Sequence, residues 1–362
     1  MRLMRLLATF ACALTLSSAH AAERVVNVFN WSDYIDAKVL ADFTRETGIR
    51  VVYDTFDSNE VLETRLLAGQ TGYDVVVPSA TFLQRLSQAG VFQPLDRSKL
   101  PNAAGLSADI MRRLAVYDPG NRFAIDYMWF TTGIAYNAKK IAERLGAQPL
   151  DTWDVVFKPE LLKRVASCGV YFLDSPEDLL AIALSYLKLP PDTKNEADIK
   201  RAFSLLAGVR SSVKKFHSSE YINALANGDI CLAIGWAGDS FQAADRAREA
   251  GNGVEIAYAV PRQGTLISFD TFAIPKDAPH VDEAHAFIDY MLRPEIAARN
   301  TLVTHFANPV PASNALLPKS VTGNPSVYPD ADMMSRLFTV QTRDMATQKI
   351  VTREWTRLKS GR

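Results

Sequence analysis

Apolar runs of strand length alternate with amphipathic runs of helix length from residue 25 to residue 88, and this alternation restricts the fold more than any other feature of the chain. Val25-Val26-Asn27-Val28-Phe29 reads as a strand, and residues 36–47 as a helix stopped by Gly48. Residues 49–54 read as a second strand. Ser58 caps the next helix, which carries Leu62, Leu66 and Leu67 on one face and ends between Gly69 and Gly72. Residues 73–77 are an apolar strand of the kind buried in parallel sheets, and Pro78-Ser79-Ala80-Thr81 leads into a helix over 82–88. Three βα units in succession predict an α/β fold with a mainly parallel sheet flanked by helices.

The chain has 362 residues, enough for two such units. Residues 92–102 read as loop, and 127–137 as an extended crossover. A second α/β region follows, with helices centred near Ala142, Leu161, Ile182, Ala202 and Ala224 and strands near Val170 and Ile234. The chain is extended again over 254–260 and 265–274. Helices are expected over 283–292, 294–299 and 345–359. Two α/β regions joined by more than one extended segment predict two lobes that hinge over a cleft.

The first residues carry an address. Met1-Arg2 and Arg5 are positive, Leu6 to Leu16 is apolar, and Ala19-His20-Ala21 is a small-x-small cleavage site. This predicts a signal peptide over 1–22, a mature chain starting near Ala22 or Glu23, and a periplasmic destination. Two cysteines remain, Cys168 and Cys231. An oxidising destination favours a disulfide between them, and two buried free thiols are the other reading. Neither has metal-ligand spacing around it, so no metal site is expected. The 40 Lys and Arg are matched by 40 Asp and Glu, so no global field points to nucleic acid.

Signals for catalysis are thin. There is no Gly-x-Ser-x-Gly elbow, no His-Glu-x-x-His and no P-loop. His217 precedes Ser218-Ser219, which read as the cap of the helix carrying Tyr221. His280 and His285 read as solvent-facing, and His305 as a loop residue. No enzyme activity and no cofactor are expected. Binding signals are stronger. Trp31-Ser32-Asp33-Tyr34 follows the first strand, and Trp236-Ala237-Gly238-Asp239 repeats the pattern after a strand over 231–235. Asp270 ends another extended run, and Asp178 opens a helix. Acids at helix starts also suit capping. As a set, however, carboxylates and aromatics at strand ends favour a cation with an apolar body.

Asn30-Trp31-Ser32-Asp33-Tyr34-Ile35, Phe56-Asp57-Ser58-Asn59-Glu60, Tyr73-Asp74-Val75-Val76-Val77-Pro78-Ser79 and Asn227-Gly228-Asp229-Ile230-Cys231 through Gly235-Trp236-Ala237-Gly238-Asp239 resemble the periplasmic polyamine-binding proteins of ABC transporters, the putrescine-binding branch above all. The resemblance implies a type II periplasmic binding-protein fold that delivers putrescine or spermidine to a membrane permease. It divides the chain into lobe 1 over 24–132, lobe 2 over 133–257, a return to lobe 1 over 258–308, and a C-terminal segment, 309–362, packing on lobe 2. It implies that Trp31 and Trp236 sandwich the methylene chain, with Tyr34 as a further wall. Ser32, Asp33, Ser79 and Asp239 would contact the amines, and Asp270 would hold the far amine. Asp178 stands where the family has Glu, Phe306 where it has Tyr, and Ser268 where it has an aromatic. Phe269 should face away from the cleft. Ser268, Thr81 and Ser175 are the positions expected to set specificity. The missing wall at Ser268 also admits spermidine, cadaverine or agmatine. A monomer is expected, and a sensory module read by a membrane receptor is the alternative to transport.

Overall fold

A fourteen-residue strand, Ala124–Asn137, runs through the centre of the molecule with every residue buried. The computed structural model describes residues 23–147 and 150–361, so the signal-peptide reading lies outside the described residues. The strands, in chain order, are β1 (Val25–Trp31), β2 (Arg50–Phe56), β3 (Val75–Val76), β4 (Ala124–Asn137), β5 (Val170–Phe172), β6 (Lys215–Phe216), β7 (Leu232–Trp236), β8 (Ile256–Ala259), β9 (Thr265–Ala273) and β10 (Leu337–Phe338).

β4 belongs to two sheets. Its first part, Ala124 to Thr131, pairs antiparallel with β9. Its second part pairs antiparallel with β7 from Thr132 and with β8 from Ile134. The strand order is β2-β1-β3-β9-β4-β7-β5-β6, with β8 beside β4 and β10 beside β9. β1, β2 and β3 are parallel, as are β5, β6 and β7. The apolar core divides at the same place. Phe130 belongs to one cluster and Ile134 to the other. Two sheets sharing one continuous strand make the two-lobed α/β architecture that the alternating pattern predicts.

Local chemistry accounts for most element boundaries. Asp36 caps helix Ala37–Thr47, and Ser58 caps helix Asn59–Ala68. β3 is shorter than the apolar run 73–77. The Asp74 carboxylate takes the Asn27 N–H at 2.7 Å, which ends the ladder on one side, and Pro78 follows on the other. The stretch read as loop contains short helical turns at Arg97–Lys99 and Pro101–Gly105, and helix Ala108–Leu114 follows it under a Ser107 cap.

Three expectations change. His217, rather than Ser218 or Ser219, caps helix Glu220–Ala226, since its Nδ1 accepts the Ser219 and Glu220 N–H groups at 3.1 Å each. His285 is buried, not solvent-facing: Nε2 accepts from the Asp96 N–H and Nδ1 donates to the Val281 carbonyl. The C-terminal segment 309–362 does not pack as a whole on lobe 2. Val327 and Leu337 join the first core, and only helix Met345–Ser360, through Val351, Trp355 and Leu358, joins the second. Cys168 and Cys231 form a disulfide that ties the entries of the neighbouring strands β5 and β7.

Candidate ligand-binding cleft

The site is built from strand ends on both sides of β4. On the first side, β1 ends at Trp31, whose indole N–H donates to the Val77 carbonyl at 3.0 Å. That bond fixes the ring between the ends of β1 and β3. Neither Ser32 nor Asp33 caps the next helix, because Asp36 does so. Ser32 is exposed, and its hydroxyl approaches the Phe56 carbonyl. Asp33 turns the chain with a left-handed φ of 56°. Tyr34 is buried edge-on against Tyr127 and Phe306, with its hydroxyl near enough to Asp270 to lower that acid's pKa. Ser79 stands at the cap position of helix Ala80–Gln88 yet caps nothing, because its hydroxyl donates to Asp270 Oδ1 at 2.5 Å. Helix start and β9 are thereby joined at one carboxylate.

On the second side, Trp236 ends β7 and opens helix Ala237–Ala250. The Tyr221 hydroxyl accepts the Trp236 N–H at 3.0 Å and donates to Asp239 Oδ2 at 2.7 Å. Asp178, in the first turn of helix Pro176–Tyr186, accepts from Thr132 at 2.6 Å, from Ser175 at 2.5 Å and from the Trp236 indole at 3.3 Å. Between the two sides the aromatic rings meet edge to face. Trp31 and Trp236 centroids are 5.9 Å apart at 74°, and Phe130 lies 6.0 Å from Trp236 and 5.0 Å from Phe306. The two indoles touch in this conformation instead of standing parallel, so the space for a ligand lies beside them.

That space has two chambers sharing Trp31, Ser79, Phe130 and Trp236. One presents Asp33, Tyr34, Asp239, Asp270 and Phe306. The other presents Thr81, Ser175, Asp178 and Ser268. Ser268 pairs across the strands with Phe130, whose ring supplies an aromatic surface next to the position where Ser268 has none. Phe269 is 1% exposed and packs in the first core. The two other positions expected to tune specificity hold acids: Thr81 donates to Glu177 at 2.7 Å, and Ser175 to Asp178.

The electrostatics are unusual for a folded interior. Asp178, Asp239 and Asp270 are 8%, 7% and 3% exposed. Burial pushes Asp239 and Asp270 up to about 7, against the pull of hydrogen bonds from Tyr221 and Ser79 respectively. Burial also raises Asp178, opposed by Ser175, Thr132 and Trp236. Among the described residues none of the three makes an ion pair with Lys or Arg; Arg246, whose charge lowers the Asp239 pKa, pairs with Asp33 at 3.1 Å. Three buried carboxylates around aromatic faces are suited to an ammonium or guanidinium group and hostile to an anion.

The lobes touch at both rims. Asp33 meets Arg246, His305 meets Asp245 at 2.7 Å, and Gln242 donates to the Asp33 and Thr304 carbonyls. On the opposite rim Thr81 and Arg85 meet Glu177. Sequence reasoning missed Phe130, Tyr221, Gln242 and Arg246. A usable signal existed for the last two: positions 239, 242 and 246 share one face of a helix.

The model of the bacterial extracellular solute-binding protein family matches residues 38–329. The chain belongs to that family. This solute-binding protein is 48% identical over 352 residues to the putrescine-binding periplasmic protein of Escherichia coli (strain K12), covering 97% of this chain and 95% of the relative. It is 49% identical over 357 residues to the putrescine-binding periplasmic protein of Pseudomonas aeruginosa, covering 97% of each. A solved structure, a putative spermidine/putrescine ABC transporter from Listeria monocytogenes, superposes with a TM-score of 0.83 at 30% identity, over 94% of this chain and 100% of that one.

Proposed function

We propose that this protein captures a short linear polyamine, putrescine first, in the periplasm, closes its lobes over it, and presents the closed form to the permease of an ABC transporter. It binds and releases its ligand without chemical turnover. The observation that carries the reading is the set of buried carboxylates, Asp178, Asp239 and Asp270, placed around Trp31, Phe130 and Trp236 without ion pairs to Lys or Arg among the described residues. Buried charge of one sign is costly, and a ligand of the opposite sign removes the cost. A diammonium chain matches both ends: each ammonium gains roughly 0.5–2 kcal/mol per favourable aromatic face, while the methylenes pack against the rings. The names of the two putrescine-binding relatives point the same way.

In this reading Ser32, Asp33, Ser79, Asp239 and Asp270 serve the amines of the first chamber, with Tyr34 and Phe306 as walls. Asp178 serves the second. The lobes move about β4 and the β8–β9 connection. A second reading rests on Ser268. Lacking an aromatic there, the second chamber also suits a longer or guanidinium-ended amine.

Thermal unfolding of ligand-stripped protein against linear amines, amino acids and sugars tests both readings. Saturating ligand at about a thousand times its Kd stabilises by roughly 4 kcal/mol, a shift of several degrees. Putrescine should give that shift, and Asp239→Asn or Trp236→Ala should weaken binding at least about tenfold with the fold intact. A larger shift with a longer amine selects the second reading. No shift with any amine overturns both.

A further inference from the structure

Gly238 and Phe306 come from different lobes and touch. Gly238 is the second residue of helix Ala237–Ala250 and lies one position before Asp239. Phe306 follows helix Pro294–Thr304 on the other side of the cleft. A Cβ built on Gly238 would lie under 3.0 Å from three carbons of the Phe306 ring, so the ring is seated on the bare glycine backbone. The ring cannot easily give way. It is 2% exposed and is held edge-on by Tyr34 at 4.8 Å and by Phe130 at 5.0 Å. The glycine itself is helical, so its conformation does not require the missing side chain. Within the helix alanine would be the better residue.

We infer that Gly238 is a positioning residue for ligand capture: its missing side chain lets the Phe306 ring seat against the start of the Asp239 helix, and only with that contact made can the lobes close fully. The inference rests on the proposed capture of an amine by lobe closure. The same contact brings Asp239, on the helix, into the chamber that Phe306 walls. A methyl group at 238 would act as a wedge. It would hold Asp239 away from Asp270 and Tyr34, and hold the rim pairs Asp33–Arg246 and Asp245–His305 apart. An open form in which the ring and the glycine part would be untouched by the methyl.

The test is a double-mutant cycle on the mature protein with Gly238→Ala, Phe306→Ala and both together. Ligand-free Gly238→Ala should unfold at or above the wild-type temperature, which a folding defect would not give. Its putrescine affinity should fall at least about tenfold, since the closed state is the binding-competent one. In small-angle scattering the compaction that saturating putrescine gives the wild type should be lost. With the ring removed, Gly238→Ala should change affinity by less than about twofold. Wild-type affinity and compaction in Gly238→Ala would overturn the inference, and so would an equal loss with and without the ring. If the wild type itself binds no linear amine, the functional reading fails first and takes the inference with it.

Discussion

The Tyr221 hydroxyl bridges the Trp236 backbone N–H, at 3.0 Å, and the Asp239 carboxylate, at 2.7 Å. One side chain thus satisfies the start of helix Ala237–Ala250 and aims the acid beside it. The contact is tight. A Cβ at Gly235 would fall within 3.0 Å of two carbons of the Tyr221 ring, so the strand needs glycine where the ring crosses it. Tyr221→Phe keeps the ring and removes the bridge. The hydroxyl lowers the Asp239 pKa, so its loss should leave the acid more protonated at neutral pH. We expect putrescine affinity to fall about tenfold, the scale of one hydrogen bond to a charged group. Titration calorimetry checks this, and unchanged affinity would show that Asp239 does not depend on Tyr221.

Binding should be linked to protons. With the lobes in contact as here, burial pushes Asp239 and Asp270 up to about 7 against an ordinary value of 3.8. Their folded pKa values are raised. Their contribution to the stability of this lobe-closed arrangement without ligand is therefore present below about pH 4 and lost as pH rises through about 7. An ammonium reverses this by favouring the ionised acids. Affinity should rise with pH, weakening at least about tenfold from pH 7 to pH 5. Calorimetry in buffers of different ionisation enthalpy should show proton release on binding at neutral pH. A flat profile with no proton release would contradict the buried, uncompensated state of the two acids.

The fold was legible because strand and helix periods alternate cleanly, and because capping residues such as Ser58 stand where the helices begin. The site was partly legible: strand-end acids and tryptophans announce themselves by type. What was not legible depended on contacts between distant segments. Ser79 stands in a lead-in to a helix, and nothing near it in the chain announces that Asp270, 191 residues away, takes its hydroxyl. His217 reads as a bystander until its ring accepts the N–H groups assigned to the serines beside it. Phe130 lies in a strand buried along its whole length, where no alternation marks the cleft face, so its place opposite Ser268 appears only from the strand register.

That register gives a specificity prediction. Ser268→Phe adds a ring next to Phe130 and fills part of the second chamber. Putrescine affinity should stay within about threefold, while any stabilisation by spermidine or agmatine should shrink by at least about tenfold in affinity, the cost of a lost fit in an enclosed pocket. Competition against bound putrescine measures both. Equal effects on short and long amines would remove Ser268 from the specificity account.

The rim contacts should act on release more than on capture. Arg246→Ala removes the Asp33 pair, which is partly exposed, so the loss in affinity should be small, about two- to fivefold. It should lie in the dissociation rate and fade at high salt, where such pairs are screened. Stopped-flow release at two salt concentrations checks it. A change confined to the association rate would mean that the pair steers the ligand instead of holding the lobes.

The most direct test of the central claim, that buried carboxylates hold a diammonium between aromatic faces, compares three ligands of one length. Ligand-stripped protein is titrated calorimetrically with putrescine, with the monoamine butylamine and with the neutral butane-1,4-diol. The account predicts measurable binding of putrescine, binding of butylamine weaker by at least about a hundredfold, and no binding of the diol, because each missing ammonium leaves a buried acid unpaired. Binding of the diol or of butylamine as tightly as putrescine would show that the cleft reads the carbon chain and not the charges, and the account would fail.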